Sequence, residues 1–209
     1  MAALPSHLEL VRGIVLPRPV GADPVLDFCN TRSGWTGRGP ARSDWLTSYE
    51  AFAVWTGYVG LLAGETSARL VEQAAARPAE AARRYHAALE FRADLYDVLT
   101  DAAAADAFDA VAVVVGRATA RRQLTAVPAD AAGGLRGSWE LPEDLGLPLD
   151  RIALLAADLL TGESRGSVKA CPGLGCGWLF LDSRGRRRWC SMATCGNRAK
   201  VRAHAARSR

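Results

Sequence analysis

"CPGLGCGWLFLDSRGRRRWCSMATCGNRAK", residues 171–200, contains four of the chain's five cysteines. Cys171, Cys176, Cys190 and Cys195 form C-x4-C, thirteen intervening residues, and a second C-x4-C. Four thiolates satisfy a tetrahedral zinc ion completely and leave no position for water. In the first pair, Pro172, Gly173 and Gly175 suit the tight turn that a two-toothed grip requires. In the second, "CSMATC", Ser191 is placed to cap a helix in which Cys195 sits one turn inside, facing back toward Cys190. An iron–sulfur cluster or a thiol redox pair remains an alternative at this point, although neither spacing is the C-x-x-C of a redox pair.

Between the pairs, "WLFL" reads as a strand, "DSRG" as a turn and "RRRWC" as a return strand. Knuckle, hairpin and helix in that order describe a treble-clef-like zinc module. Trp178 and Phe180 alternate with Leu179 and Leu181, so one pair covers the metal site or docks on the rest of the protein. So small a segment buries little apolar surface, and metal binding would supply on the order of 10 kcal/mol toward its folding.

Charge divides the chain at about the same place. From Gly166 to Arg209 there are ten Lys or Arg against one acid, Asp182, a net +9, whereas residues 1–165 carry sixteen basic and twenty-one acidic groups, a net −5. A polyanion should prefer the basic end. In "RGRRR" and "NRAKVRAHAAR" nine of sixteen residues are Arg, Lys or His. Arg198 and Arg202 share one face of a helix, while Lys200, His204 and Arg207 lie on the other side. Arginine forks can bridge phosphate oxygens or grip the edge of guanine. The candidate nucleic-acid contacts are therefore Arg184, Arg186, Arg187, Arg188, Arg198, Lys200, Arg202 and Arg207. The bland reading of the same residues is a solvated helix whose cations favour its C-terminal dipole end.

The preceding 165 residues read as mainly helical. "PVLDFCN", Pro24–Asn30, is a strand or the start of a buried helix, and Cys29 within it is a small buried hydrophobe. Residues 33–44, "SGWTGRGPARSD", are loop by composition. A helix capped by Ser43 or Asp44 extends to about Tyr58, with Trp45, Tyr49 and Phe52 on its apolar side. A second spans about Pro78 to Asp101, where Tyr85, Leu89, Arg92, Tyr96 and Leu99 advance by four and three, and His86 faces solvent. A third occupies "DAFDAVAVVVGRATARR". "RRQLTAVPAD" and "GGLRGSWELP" flank a Gly-rich turn as a hairpin. The helix "PLDRIALLAADLLTG" follows, with Asp150 near its start and Gly162 past its end.

No catalytic constellation is present in this part: there is no phosphate-cradling glycine loop, nucleophile elbow or metalloprotease histidine pair. With 49% hydrophobic and 23% charged residues, and no apolar run approaching about 18 residues, the composition is that of a globular chain and not of a membrane protein. "MAALPSHLELVRG" lacks the pattern of a secretory leader, so a cytoplasmic protein is the expectation.

The four cysteines with "WLFLD", "RRWCSM" and "CGNRAK" resemble the CGNR zinc finger, named for Cys195, Gly196, Asn197 and Arg198. "LDFCNT" (Leu26–Thr31), "DWLTSYEAFAVW", the Arg92 helix and the "LLTG" helix resemble the ABATE domain that accompanies this finger in bacterial proteins. The resemblance implies a stress-induced transcription regulator in which Cys171, Cys176, Cys190 and Cys195 ligate zinc and the arginine-rich hairpin and helix contact DNA. It also suggests a structural role for Asn197, its amide tying the helix start to the hairpin.

The expected architecture is therefore mainly α with small β-hairpins: a helical domain over residues 1–165 and a zinc finger with a basic helix over 166–209. The expected function is binding, not enzymatic. DNA is the expected partner, and a small-molecule ligand of the N-terminal domain and a homodimer are further ones. Three rivals stand beside it. An RNA-binding module would expose stacking aromatics such as Trp178 and Trp189. An interaction protein with a zinc-stapled tail would bury Trp178 or Phe180 between domains and pair the arginines with acidic groups. A small-molecule-binding or enzymatic N-terminal domain would show a deep pocket near Asp27, Asn30 and Arg92.

Overall fold

The computed structural model describes residues 4–35, 43–101, 103–129 and 134–207. Most of the loop expected over 33–44, and the tip of the hairpin at 130–133, lie outside the described residues. The chain opens with a hairpin that no expectation covered, β1 (Leu8–Val11) against β2 (Ile14–Pro17). Arg12 and Gly13 turn it with φ of 49° and 84°. Two consecutive left-handed residues match a two-residue loop to the twist of its strands. Strands of four residues are too short for periodicity to reveal.

"PVLDFC" resolves as a helix, α1 (Pro24–Cys29), because Asp23 accepts the Val25 N–H at 2.8 Å and Pro24 opens the first turn. The next helix starts later than expected. It is α2 (Tyr49–Tyr58), capped by Ser48, whose hydroxyl accepts the Ala51 N–H at 3.1 Å. Asp44 does not cap it, since its carboxylate is engaged by the Arg92 guanidinium. Helix α3 (Gly64–Ala76) was not foreseen. Its buried contacts are few: Leu70, and Ser67, which donates to the Ala53 carbonyl at 2.6 Å where Gly57 lets the two helices approach.

Helices α4 (Pro78–Thr100), α5 (Ala105–Ala120) and α6 (Leu147–Thr161) lie where the periodicity puts them. Between α5 and α6 stands the hairpin β3 (Gln123–Pro128) and β4 (Leu135–Glu140). The core forms where α1, α2, α4 and α6 meet. Phe28 lies 5.6 Å from both Phe52 and Trp55, and Phe91, Leu95, Ile152 and Ala156 close around them. Each such side chain contributes about 1.5–3 kcal/mol when fully buried. Cys29 is fully buried, and burial pushes its thiol up to about 12, so it behaves as a small hydrophobe. His86 is exposed, as its helix position predicts. Among the described residues no helix is long and apolar enough to cross a membrane.

The C-terminal segment differs from the expected hairpin. Strand β6 (Leu179–Leu181) pairs antiparallel with β5 (Val168–Ala170), so the cysteine knuckle itself connects the two strands. "RRRW" forms no ladder. The N–H groups of Arg186 and Arg187 donate instead to Asp182 Oδ1 at 2.8 and 3.0 Å, which curls the arginine loop onto its own start. A five-residue π-helical turn, Met192–Gly196, then leads into α7 (Asn197–Arg207).

Candidate metal centre and basic surface

The knuckle at 171–176 and the turn at 190–195 bring four sulfur atoms together. The Sγ atoms of Cys171, Cys176, Cys190 and Cys195 all lie within 4.8 Å of one another, and all four residues are buried. Cys176 and Cys190 are 3.7 Å apart, sulfur to sulfur. A tetrahedron with zinc–sulfur bonds of about 2.3 Å has edges of about 3.8 Å, so the spacing fits. The chemistry fits as well. Without a cation the neighbouring sulfurs oppose one another: the Cys171 sulfur pushes the Cys176 and Cys190 thiols up, while Cys171 itself is pushed down. Four thiolates at this distance need a cation among them. These residues are positioned to hold one zinc ion, which as a closed four-sulfur site would serve as a structural tie.

Glycine lets the knuckle and the Cys195 sulfur approach. A Cβ on Gly173 would lie 2.9 Å from the Cys195 sulfur, and one on Gly196 would lie 2.7 Å from the Met192 sulfur. Trp178 and Phe180 pack on the cysteines, whereas Leu179, between them, is buried in the helical core. The alternation thus serves both purposes. Ser191 stands at the cap position with extended backbone but makes no side-chain capping bond. Asn197 is exposed, and among the described residues its side chain ties nothing to the arginine loop.

What joins the finger to the rest is a set of polar side chains from the α1 region that the sequence reading placed beside a ligand pocket. Asn30 acts as a strand neighbour: its Oδ1 accepts the Leu179 N–H at 2.7 Å and its Nδ2 donates to the Leu179 carbonyl at 2.9 Å. Asp27 accepts the N–H groups of Val20 and Gly21 at 2.8 and 2.7 Å, although burial raises its carboxyl above the ordinary range. The loop it holds receives the Leu181 N–H on the Gly21 carbonyl at 3.0 Å. Arg92, 2% exposed, donates to Thr31 and to Asp44. Trp178 Nε1 donates to the Arg32 carbonyl at 2.9 Å, and Tyr96 donates to the Gly177 carbonyl at 2.8 Å. The signal was present in "LDFCNT": three polar residues inside an apolar phrase must find buried partners.

The candidate cations divide into two groups. Arg187 is half-buried, stacked 4.6 Å over Phe180, and donates to the carbonyls of Val20, Trp189 and Cys190. It holds the arginine loop against the N-terminal segment. Arg184, Arg186, Arg188, Arg198, Lys200, Arg202 and Arg207 are exposed. Arg184, Arg186 and Arg188 line an open groove of about 580 Å³ with Trp189 and Met192. Helix α7 buries none of its residues, and even Val201 is 62% exposed. Asp182, beneath the groove, is held below the usual carboxylate range by the Arg187 N–H and then by Lys169, whose ammonium is 2.9 Å away.

Comparison with known proteins agrees with this geometry. A search of curated proteins finds no match. The family model of the CGNR zinc finger matches residues 167–208, the segment that gathers the four sulfurs. A second model, for the ABATE family, described as "Putative stress-induced transcription regulator", matches residues 22–163. That match spans the helical core and more than half of the sequence, and the chain belongs to the ABATE family, with a CGNR zinc finger at its C-terminal end.

Proposed function

We propose that the protein is a DNA-binding transcription regulator whose finger presents the arginine groove and α7 to phosphate and base edges. One observation carries this reading. Among the described residues, none of the seven exposed cations from Arg184 to Arg207 forms an ion pair with a carboxylate, although the rest of the chain has an acidic surplus. Charge left unpaired on a segment fixed by metal is a surface complementary to a polyanion. Arg187 is assigned to holding the loop, and the contacts to the other seven.

The rivals fare differently. Single-stranded RNA recognition by stacking loses its first candidate, since Trp178 is buried and its N–H is engaged; Trp189 is half-buried beneath the Arg188 guanidinium. The stapling feature is real, as Trp178 and Phe180 are both buried, but the paired arginines it requires are absent among the described residues. In this reading the helical domain has no catalytic role: Asn30 is engaged with the finger, Asp27 with the Val20–Gly21 loop and Arg92 with Thr31 and Asp44. Ligand sensing in this reading falls to the cleft of about 200 Å³ between the two parts, which is lined by His7, Trp45, Trp178 and Arg198 and borders Cys176, Cys190 and Cys195. A cytoplasmic setting follows from the same reading.

Titrating duplex DNA at several salt concentrations tests the proposal. Affinity should fall linearly on logarithmic axes with a slope of about −0.9 per phosphate neutralised, and replacing Arg186, Arg198 and Arg202 by Ala should lower that slope by about three units of contact. Binding unchanged by the triple replacement would reject it.

A further inference from the structure

The hairpin β3–β4 stands apart from the core. Each strand pairs only with the other among the described residues, in a register that sets Leu124 opposite Trp139, Ala126 opposite Gly137 and Pro128 opposite Leu135. These six share one face. The other face carries Gln123 with Glu140, Thr125 with Ser138 and Val127 with Arg136. The apolar face is the one turned to solvent: Leu124 is 66% exposed, Trp139 55% and Leu135 76%. A lone two-stranded hairpin is marginal in water, and an open strand edge invites another strand.

Its two edges are not equivalent. The Ala129 N–H donates to the Gly134 carbonyl at 3.1 Å, which sets the alternation of the ladder. Thr125 and Ser138 therefore bond toward each other, while Leu135, Gly137 and Trp139 direct N–H and C=O to the outer edge of β4. On β3 the outward residues are Leu124, Ala126 and Pro128, and the proline has no N–H to offer. The β3 edge is blunted and the β4 edge is complete.

We propose that the β4 edge is a self-association surface, on which β4 of a second copy pairs antiparallel about Ser138 to make a four-stranded sheet. Charge selects this occupant and this register. Centring the pair on Arg136 would set two guanidinium groups side by side. Centring it on Ser138 sets Arg136 of each copy opposite Glu140 of the other, twice, on the polar face. On the apolar face, Trp139 of each copy lies across Gly137 of the other, where the Leu124 side chain that covers this glycine offers the ring an aliphatic contact. The outward groups of Gly137 and Trp139 then exchange hydrogen bonds across the axis, as the alternation requires. The edge bears one positive and one negative side chain, so it selects neither an acidic nor a basic peptide, whereas a second copy satisfies both.

Sedimentation of the zinc-loaded full chain over a wide concentration range should show a reversible dimer. Arg136→Glu should weaken it on the order of tenfold, and adding Glu140→Arg should restore it. Ser138→Cys should give a disulfide-linked dimer on mild oxidation, because residues facing each other in a non-hydrogen-bonded antiparallel pair have Cα atoms about 4.5 Å apart. Leu124→Cys, on the far strand, should not. Wild-type protein, whose own cysteines are all buried, is the background. A chain that stays monomeric throughout overturns the proposal. So does a dimer indifferent to Arg136→Glu, or one that Leu124→Cys links as readily as Ser138→Cys.

Discussion

Residues 22–163 and residues 167–208 are organised by different forces, although they share backbone hydrogen bonds. In the first region aromatic and aliphatic side chains from four helices enclose Phe28, with the Cys29 thiol and the paired Arg92 buried among them. In the second the buried cluster is four sulfurs with Trp178 and Phe180. Apolar area holds the larger part together, and a cation must hold the smaller. Between them lies Leu179, whose side chain belongs to the first cluster and whose neighbours belong to the second.

That contrast breaks most completely at the metal. Cys190→Ser should abolish stoichiometric zinc and remove on the order of 10 kcal/mol of metal-linked folding from the finger. The far-UV helical signal should persist, while the near-UV signal from Trp178 disappears. Retention of both signals without zinc would show that the finger folds by apolar packing.

Next in size is the seam. Asn30→Ala leaves the N–H and C=O of Leu179 buried without partners, at a cost of about 2–4 kcal/mol in urea unfolding. Because both short hydrogen bonds of the Asn30 amide go to the Leu179 backbone of the finger, zinc should also leave faster from this variant. A loss below about 1 kcal/mol would mean that the two parts are held by packing alone.

The smallest effect concerns the arginine loop. The Asp182 carboxyl is held below its ordinary range, chiefly by the Arg187 N–H. A lowered folded value means that its contribution is present at neutral pH and fades as the pH falls below about 4 and passes through the folded value. At neutral pH, Asp182→Ala should reproduce that loss as faster amide exchange at Arg186 and Arg187. Unchanged exchange would show that the loop is held by Arg187 alone.

Much of this was legible in the sequence, for identifiable reasons. Helices α4 and α6 have long apolar stripes, and the cysteine spacing named its ligands because coordination chemistry constrains it. The partner of β6 was not legible. "RRRWC" has the length and position of a return strand, yet the Asp182 carboxylate takes the amides such a strand would need, and the short "VKA" ahead of the knuckle pairs instead. Asp44 misled for a related reason: a residue suited to capping a helix was drawn to Arg92, some 48 positions away in sequence. Long-range polar partners carry no periodicity.

In the proposed function the metal places the basic surface for DNA. Duplex binding by zinc-loaded and by chelated protein at a moderate salt concentration tests it most directly. The zinc-loaded chain should bind tightly and in a salt-sensitive way, with a marked loss on chelation that added zinc reverses. Equal binding by both forms, or no binding by the zinc-loaded form even at low salt, would contradict it.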